Sequence, residues 1–121
     1  MFSFGIHGLA SEIAKRQPKT FRYLFTHAGA HTSNPPIHGN ESAYVFGTGD
    51  FEARDRVVSD AMLAAFCNFA ATGDPNGAGA PAWDAYDPAR DNYVTFGGDF
   101  APGTRWRAAP SAFIERIYRS R

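Results

Sequence analysis

The chain has 121 residues, 44% apolar and 20% charged, which predicts a soluble domain or part of one and excludes a disordered chain. Twelve basic residues balance twelve acidic ones, which argues against a polyanion grip on nucleic acid or on an anionic membrane. The single cysteine, Cys67, excludes an intrachain disulfide and a cysteine-built zinc cage, and no apolar run approaches the ~18 residues of a membrane span.

In chain order, Met1 to Ala10 lack a basic start and read poorly as a secretion signal. Leu9, Ile13 and Ala14 recur at helical spacing within Ile6 to Gln17, with Lys15 and Arg16 near the end and Pro18 beyond. That pattern predicts a short amphipathic helix. Thr20 to Thr26 is aromatic and nearly continuously apolar, as expected of a strand covered on both faces. Residues 27–50 then form a long connection with two prolines and several glycines, which is uncommon in a compact domain unless it does something. Inside it, Tyr44-Val45-Phe46 is too brief to classify.

Arg54 to Thr72 is the strongest helix, with Val58, Met62, Phe66 and Phe69 along one face. Gly73 stands where a helix stops in the left-handed conformation, and Asp74-Pro75-Asn76-Gly77 turns the chain. The Gly/Ala/Pro-rich stretch 77–91 reads as a loop pinned by Trp83 and Tyr86. Asn92 to Phe96 alternates with period two and predicts a second strand, and Pro110 to Arg119 predicts a terminal helix. Three helices and two strands do not close a sheet. The pattern is α/β, one partial domain over residues 1–121 with an incomplete sheet and an apolar helix face in need of cover. Self-association through that face is one expected consequence.

Chemistry concentrates in the stretch from Pro35 to Gly47. It mounts His38 on a Pro/Gly-rich loop after a strand, followed by Gly39 and Glu41. Imidazole titrates near neutrality and can take and return a proton. Gly39 permits a sharp turn or a close backbone approach, and Glu41 is a candidate for pinning the loop. Taken alone, such a histidine is more often an ordinary surface residue.

The motif His38-Gly39-x-Glu41-x-x-Tyr44-x-Phe46-Gly47 resembles the region around the catalytic histidine of type-B carboxylesterases, the cholinesterase-like branch of the α/β-hydrolases. Tyr23-x-Phe25-Thr26-His27 resembles the strand before that histidine. Phe69-Ala70-x-Thr72-Gly73-Asp74-Pro75-Asn76 and Trp83-x-x-Tyr86 resemble the motifs that follow, in family order, so the likeness covers about residues 20–118. Phe66 stands where the family often has Trp, and Trp83-Asp84 where it often has Trp-Pro.

The resemblance implies the C-terminal portion of an α/β-hydrolase fold and hydrolysis of small carboxylic esters without cofactor or metal. His38 is the implied general base, with Gly39 and Glu41 supporting its loop. The family's nucleophile sits on a G-x-S-x-G elbow. No such elbow occurs here, and the family acid and oxyanion hole also belong to upstream segments. The expectation is therefore an incomplete triad, inactive without the missing N-terminal part of the domain. Two alternatives stand beside it: a non-catalytic interaction module, or one half of a split esterase completed by a separate chain.

The remaining histidines and Cys67 have plainer readings. His7 is expected to be exposed or capping. His27 and His31, four apart, suggest a metal pair with His38 as a third ligand, but Gly29 interrupts the span and helical i, i+4 geometry does not apply. Cys67 is expected to be a partly buried, inert thiol.

Overall fold

The computed structural model describes residues 2–120. Along the chain run α1 (Phe2–Ala14), β1 (Tyr23–Phe25), α2 (Ser42–Phe46), α3 (Ala53–Thr72), β2 (Asn92–Phe96), β3 (Pro102–Thr104) and α4 (Ala108–Arg119). The strands lie in the order β1-β2-β3. β1 and β2 are parallel, with Tyr23 opposite Val94 and Phe25 opposite Phe96. Between β2 and β3 the Thr95 N–H donates to the Ala101 carbonyl at 2.9 Å, and the Arg105 N–H to the Asp91 carbonyl at 3.0 Å. Those nested bonds mark an antiparallel pair. The residues fall into two compact units, one of 1–22, 84–93 and 103–121, the other of 23–83 and 94–102.

In the second unit, α3 forms where the periodicity predicts it. Val58 and Met62 are fully buried with Ala65, and Ala61 nearly so. Burying Val58 and Met62 contributes about 1.5–3 kcal/mol each. The predicted face is shorter than expected, because Phe69 is 45% exposed and Phe66 is only half-buried. Cys67 is exposed rather than partly buried. At about 100° per residue it lies on the opposite side of the helix from Val58. Gly73 ends α3 at φ 73°, its N–H returning to the Phe69 carbonyl at 2.7 Å, the left-handed stop that glycine allows.

The abundant aromatics gather beside this helix. Tyr23 sets its ring edge-on to Phe66, Trp83 and Phe96 at centroid distances of 5.8–6.0 Å. Such pairs add about 0.5–1.5 kcal/mol each beyond the area they bury. β1 is only three half-buried residues, not a doubly covered strand of seven, and among the described residues it lies at the edge of the sheet. The long connection is not structureless either. Tyr44-Val45-Phe46 belongs to α2, closed by Gly47 at φ 63°.

In the first unit, α1 begins and ends earlier than the spacing suggests. The Arg16 and Gln17 N–H groups both fold back to the Ile13 carbonyl, at 2.9 and 2.8 Å, and unwind the last turn. Asp91 holds this unit together. Its Oδ1 accepts from the Arg22 guanidinium, the Tyr86 hydroxyl (3.1 Å) and His7 Nδ1 (3.0 Å). Arg22 also lies over the rings of Tyr86 and Tyr93 at 5.9 and 6.0 Å, a cation–π arrangement. His7 is therefore paired inside the unit, not an exposed or capping residue. β2 runs where predicted, with Asn92, Val94 and Phe96 buried in alternation. β3, made of proline, glycine and threonine, has no sequence signal. α4 starts before Pro110, which its first turn tolerates because no intrahelical N–H bond is lost there.

Candidate active site around His38

His38 sits in the exposed connection that leaves the carboxyl end of β1. Ligands of open parallel sheets bind outside the carboxyl ends of strands. A turn carries the imidazole, with the Asn40 N–H on the Ile37 carbonyl at 3.2 Å and Gly39 at φ 88°. Positive φ at the third residue of a turn selects glycine. A Cβ built on Gly39 meets nothing within 4 Å, so the turn, and not a close approach, is what requires this glycine. The Asn40 carboxamide braces the loop. Its Oδ1 accepts from the Ile37 N–H at 2.9 Å and from the Ser33 N–H and hydroxyl, both at 3.1 Å.

Glu41 is half-buried at the start of α2. Its carbonyl accepts the Tyr44 and Val45 N–H groups at 3.0 and 2.9 Å, while its carboxylate makes no capping hydrogen bond. Burial first, and the Glu41 charge second, raise the pKa of the Tyr23 phenol.

The best-built polar cluster of the second unit is one that the linear motifs do not announce. Asp55, in the first turn of α3, is fully buried. Its Oδ1 bonds His27 Nε2 at 2.6 Å and accepts the Tyr44 hydroxyl at 3.3 Å. Burial pushes the Asp55 carboxyl up, but the His27 hydrogen bond, the Ala30 backbone, the His27 charge and the Tyr44 hydroxyl outweigh it. The group is held below its ordinary range. Tyr44 moves the other way: burial raises its pKa and the neighbouring Asp55 charge adds to the rise. Asp55 Oδ2 is buried with no hydrogen-bond partner among the described residues.

A signal for this cluster was present in the sequence. Asp55 lies three and four residues before Val58 and Ser59 and seven before Met62, in phase with the apolar stripe of α3. A carboxylate in phase with a buried face needs a buried partner.

No group of three or more metal-ligating side chains occurs among the described residues. His27 is committed to Asp55, whereas His31 Nε2 bonds the Asp50 carbonyl at 2.9 Å, so the two do not converge as a metal pair. A concavity of about 330 Å³ in the first unit is lined by His7, Asp91, Arg105, Trp106, Ser111 and Glu115 among others. It contains none of the sequence-predicted site residues. No helix among the described residues is long and apolar enough to cross a membrane.

Comparison with known proteins gives a consistent picture. The model of the carboxylesterase family matches residues 1–110. Bile salt-activated lipase of Rattus norvegicus is 35% identical over 91 residues, covering 65% of this chain and 15% of the lipase. Acetylcholinesterase of Bungarus fasciatus is 31% identical over 96 residues, covering 70% of this chain and 16% of the cholinesterase. Among solved structures, a PNB esterase superposes with a TM-score of 0.65 at 22% identity, over 74% of this chain and 20% of that one. The architecture is therefore part of an α/β-hydrolase fold, and the chain spans less than a quarter of the length of these relatives.

Proposed function

Because the chain belongs to the carboxylesterase family, we propose that His38 is the general base and acid of a serine carboxylesterase whose nucleophile, triad acid and oxyanion hole lie outside these 121 residues. The observation that carries this reading is the His38-Gly39-x-Glu41 motif on an exposed turn at the carboxyl end of a parallel strand. In the completed site His38 takes the serine proton as the hydroxyl attacks the ester carbonyl. It then gives that proton to the departing alkoxide. Gly39 supplies the turn and Glu41 the start of α2, so the two support the imidazole without touching substrate. Without the serine no acyl-enzyme forms, and without oxyanion donors the tetrahedral intermediate is unsupported. The same reading assigns the exposed side chains of Phe46, Val57 and Leu63 to contact with the remainder of the domain.

The test uses a p-nitrophenyl ester with the chain alone and with the chain completed by an esterase segment bearing G-x-S-x-G. The expected result is no turnover alone and measurable turnover on completion. In the completed enzyme His38→Ala lowers kcat by roughly 10³-fold or more. Full activity of the completed His38→Ala enzyme would remove His38 from the mechanism. Turnover by the chain alone, lost in His38→Ala, would show that the site is not shared.

A further inference from the structure

We infer that Asp55 is the positioning residue of the His38 loop, a single carboxylate that fastens both ends of the segment carrying the imidazole. Its meaning for catalysis rests on the esterase reading; its effect on the loop does not. The segment leaves β1 at His27 and returns to helix at Tyr44. Both of these side chains meet Asp55 Oδ1, at 2.6 and 3.3 Å. The first turns of α3 add two more ties. Ser59 Oγ donates to the Tyr44 carbonyl at 2.9 Å, and an Arg54 guanidinium nitrogen donates to the Ala28 carbonyl at 3.3 Å.

Gly29 permits the convergence. A Cβ there would collide with Asp55 Oδ1 and would come within 2.6 Å of both His27 Nε2 and the Tyr44 hydroxyl. The rings around the knot are also in register: His27 meets Tyr44 edge-on at 5.3 Å, and Tyr44 stacks on Phe51 at 4.7 Å. His38 thus sits on a loop whose two feet share one acceptor, and closing that loop narrows where the imidazole can be.

The polar arrangement is a poor choice for stability alone. Asp55 Oδ2 is buried with no hydrogen-bond partner among the described residues, and buried ionic groups are often replaced by well-packed apolar ones without loss of stability. A carboxylate can do what an apolar side chain cannot, which is to hold two donors from distant points of the chain at one atom. Asp55 reaches no substrate. It acts on His38 through the segment between the two feet.

The experiment compares wild type, Asp55→Asn, which keeps an acceptor but loses the charge, and Tyr44→Phe, which frees one foot and keeps the carboxylate. Amide exchange is followed in the full chain at Asn40 and Ser42 in the loop, and at Met62 and Ala65 in the core. The expected result is loop exchange at least 10-fold faster in Asp55→Asn and several-fold faster in Tyr44→Phe, with core exchange within 2-fold of wild type. The His38 ring resonance should also sharpen toward that of a freely moving imidazole. In the completed enzyme Asp55→Asn should lower kcat about 10-fold with KM unchanged.

Unchanged loop exchange in both variants overturns the proposal, and so does an equal loosening of loop and core. If Asp55→Asn fails to fold, Tyr44→Phe decides. If completed His38→Ala is fully active, the esterase reading falls while the exchange result still judges Asp55.

Discussion

Each of the two compact units is organised around one buried aspartate, and the two differ in what compensates the charge. Asp91 faces Arg22, a guanidinium that stays protonated at any pH the protein meets, with His7 and Tyr86 on the same oxygen. Asp55 faces an imidazole, a phenol and the Ala30 backbone but no guanidinium, and its second oxygen has no hydrogen-bond partner among the described residues. The first arrangement closes a charge pair where the chain needs a fixed joint. The second leaves a carboxylate with one oxygen unmatched at the two ends of the segment that carries His38. Buried ionic groups thus serve different ends, and the kind of partner tells them apart.

Removal of each carboxylate should widen the contrast. Asp91→Ala takes from Arg22 the carboxylate it pairs with, and should cost about 3–5 kcal/mol. Asp55→Ala removes the acceptor of an imidazole and a phenol and no guanidinium partner, and should cost less, about 2–3 kcal/mol. Urea denaturation at pH 7.5 measures both, and equal costs would erase the distinction.

A smaller effect is expected from Gly29→Ala, where the new methyl must displace Asp55, His27 or Tyr44. A loss of about 1–3 kcal/mol by thermal melting is expected, against about 1 kcal/mol for Gly39→Ser, whose side chain has open space but sits at positive φ.

The smallest signal is the acid limb. The folded Asp55 carboxyl lies below its unfolded value. Its contribution is therefore complete above the ordinary carboxylate range and is lost as pH falls through the folded value, below about pH 4. The urea midpoint of Asp55→Asn should decline less steeply than wild type between pH 5 and pH 2. Parallel curves would mean that Asp55 does not titrate with unfolding.

Much of this was legible beforehand, and the reasons are local. α3 carries a helical period and a glycine stop, so both could be read from neighbours in sequence, and β2 alternates because one face of it is buried. The His38 motif was legible as a resemblance, and the family match agrees with it. β3 was not, because Pro102-Gly103-Thr104 has no strand propensity and is held by its pairing with β2. The extent of β1 is not legible for a related cause: an apolar run shows that burial is favourable, not how much of the run finds a neighbour.

By itself, the order of residues settled where α3 and α4 lie and where the chain turns at Gly73, and it carried the family resemblance around His38, because those depend on side chains only a few positions apart. Tertiary structure alone decided that His27 and Tyr44 meet on Asp55, and that His7 and Arg22 meet on Asp91. Partners so distant along the chain are brought together by the packing of whole elements, and an in-phase acidic residue announces only that a partner must exist, not which one it will be.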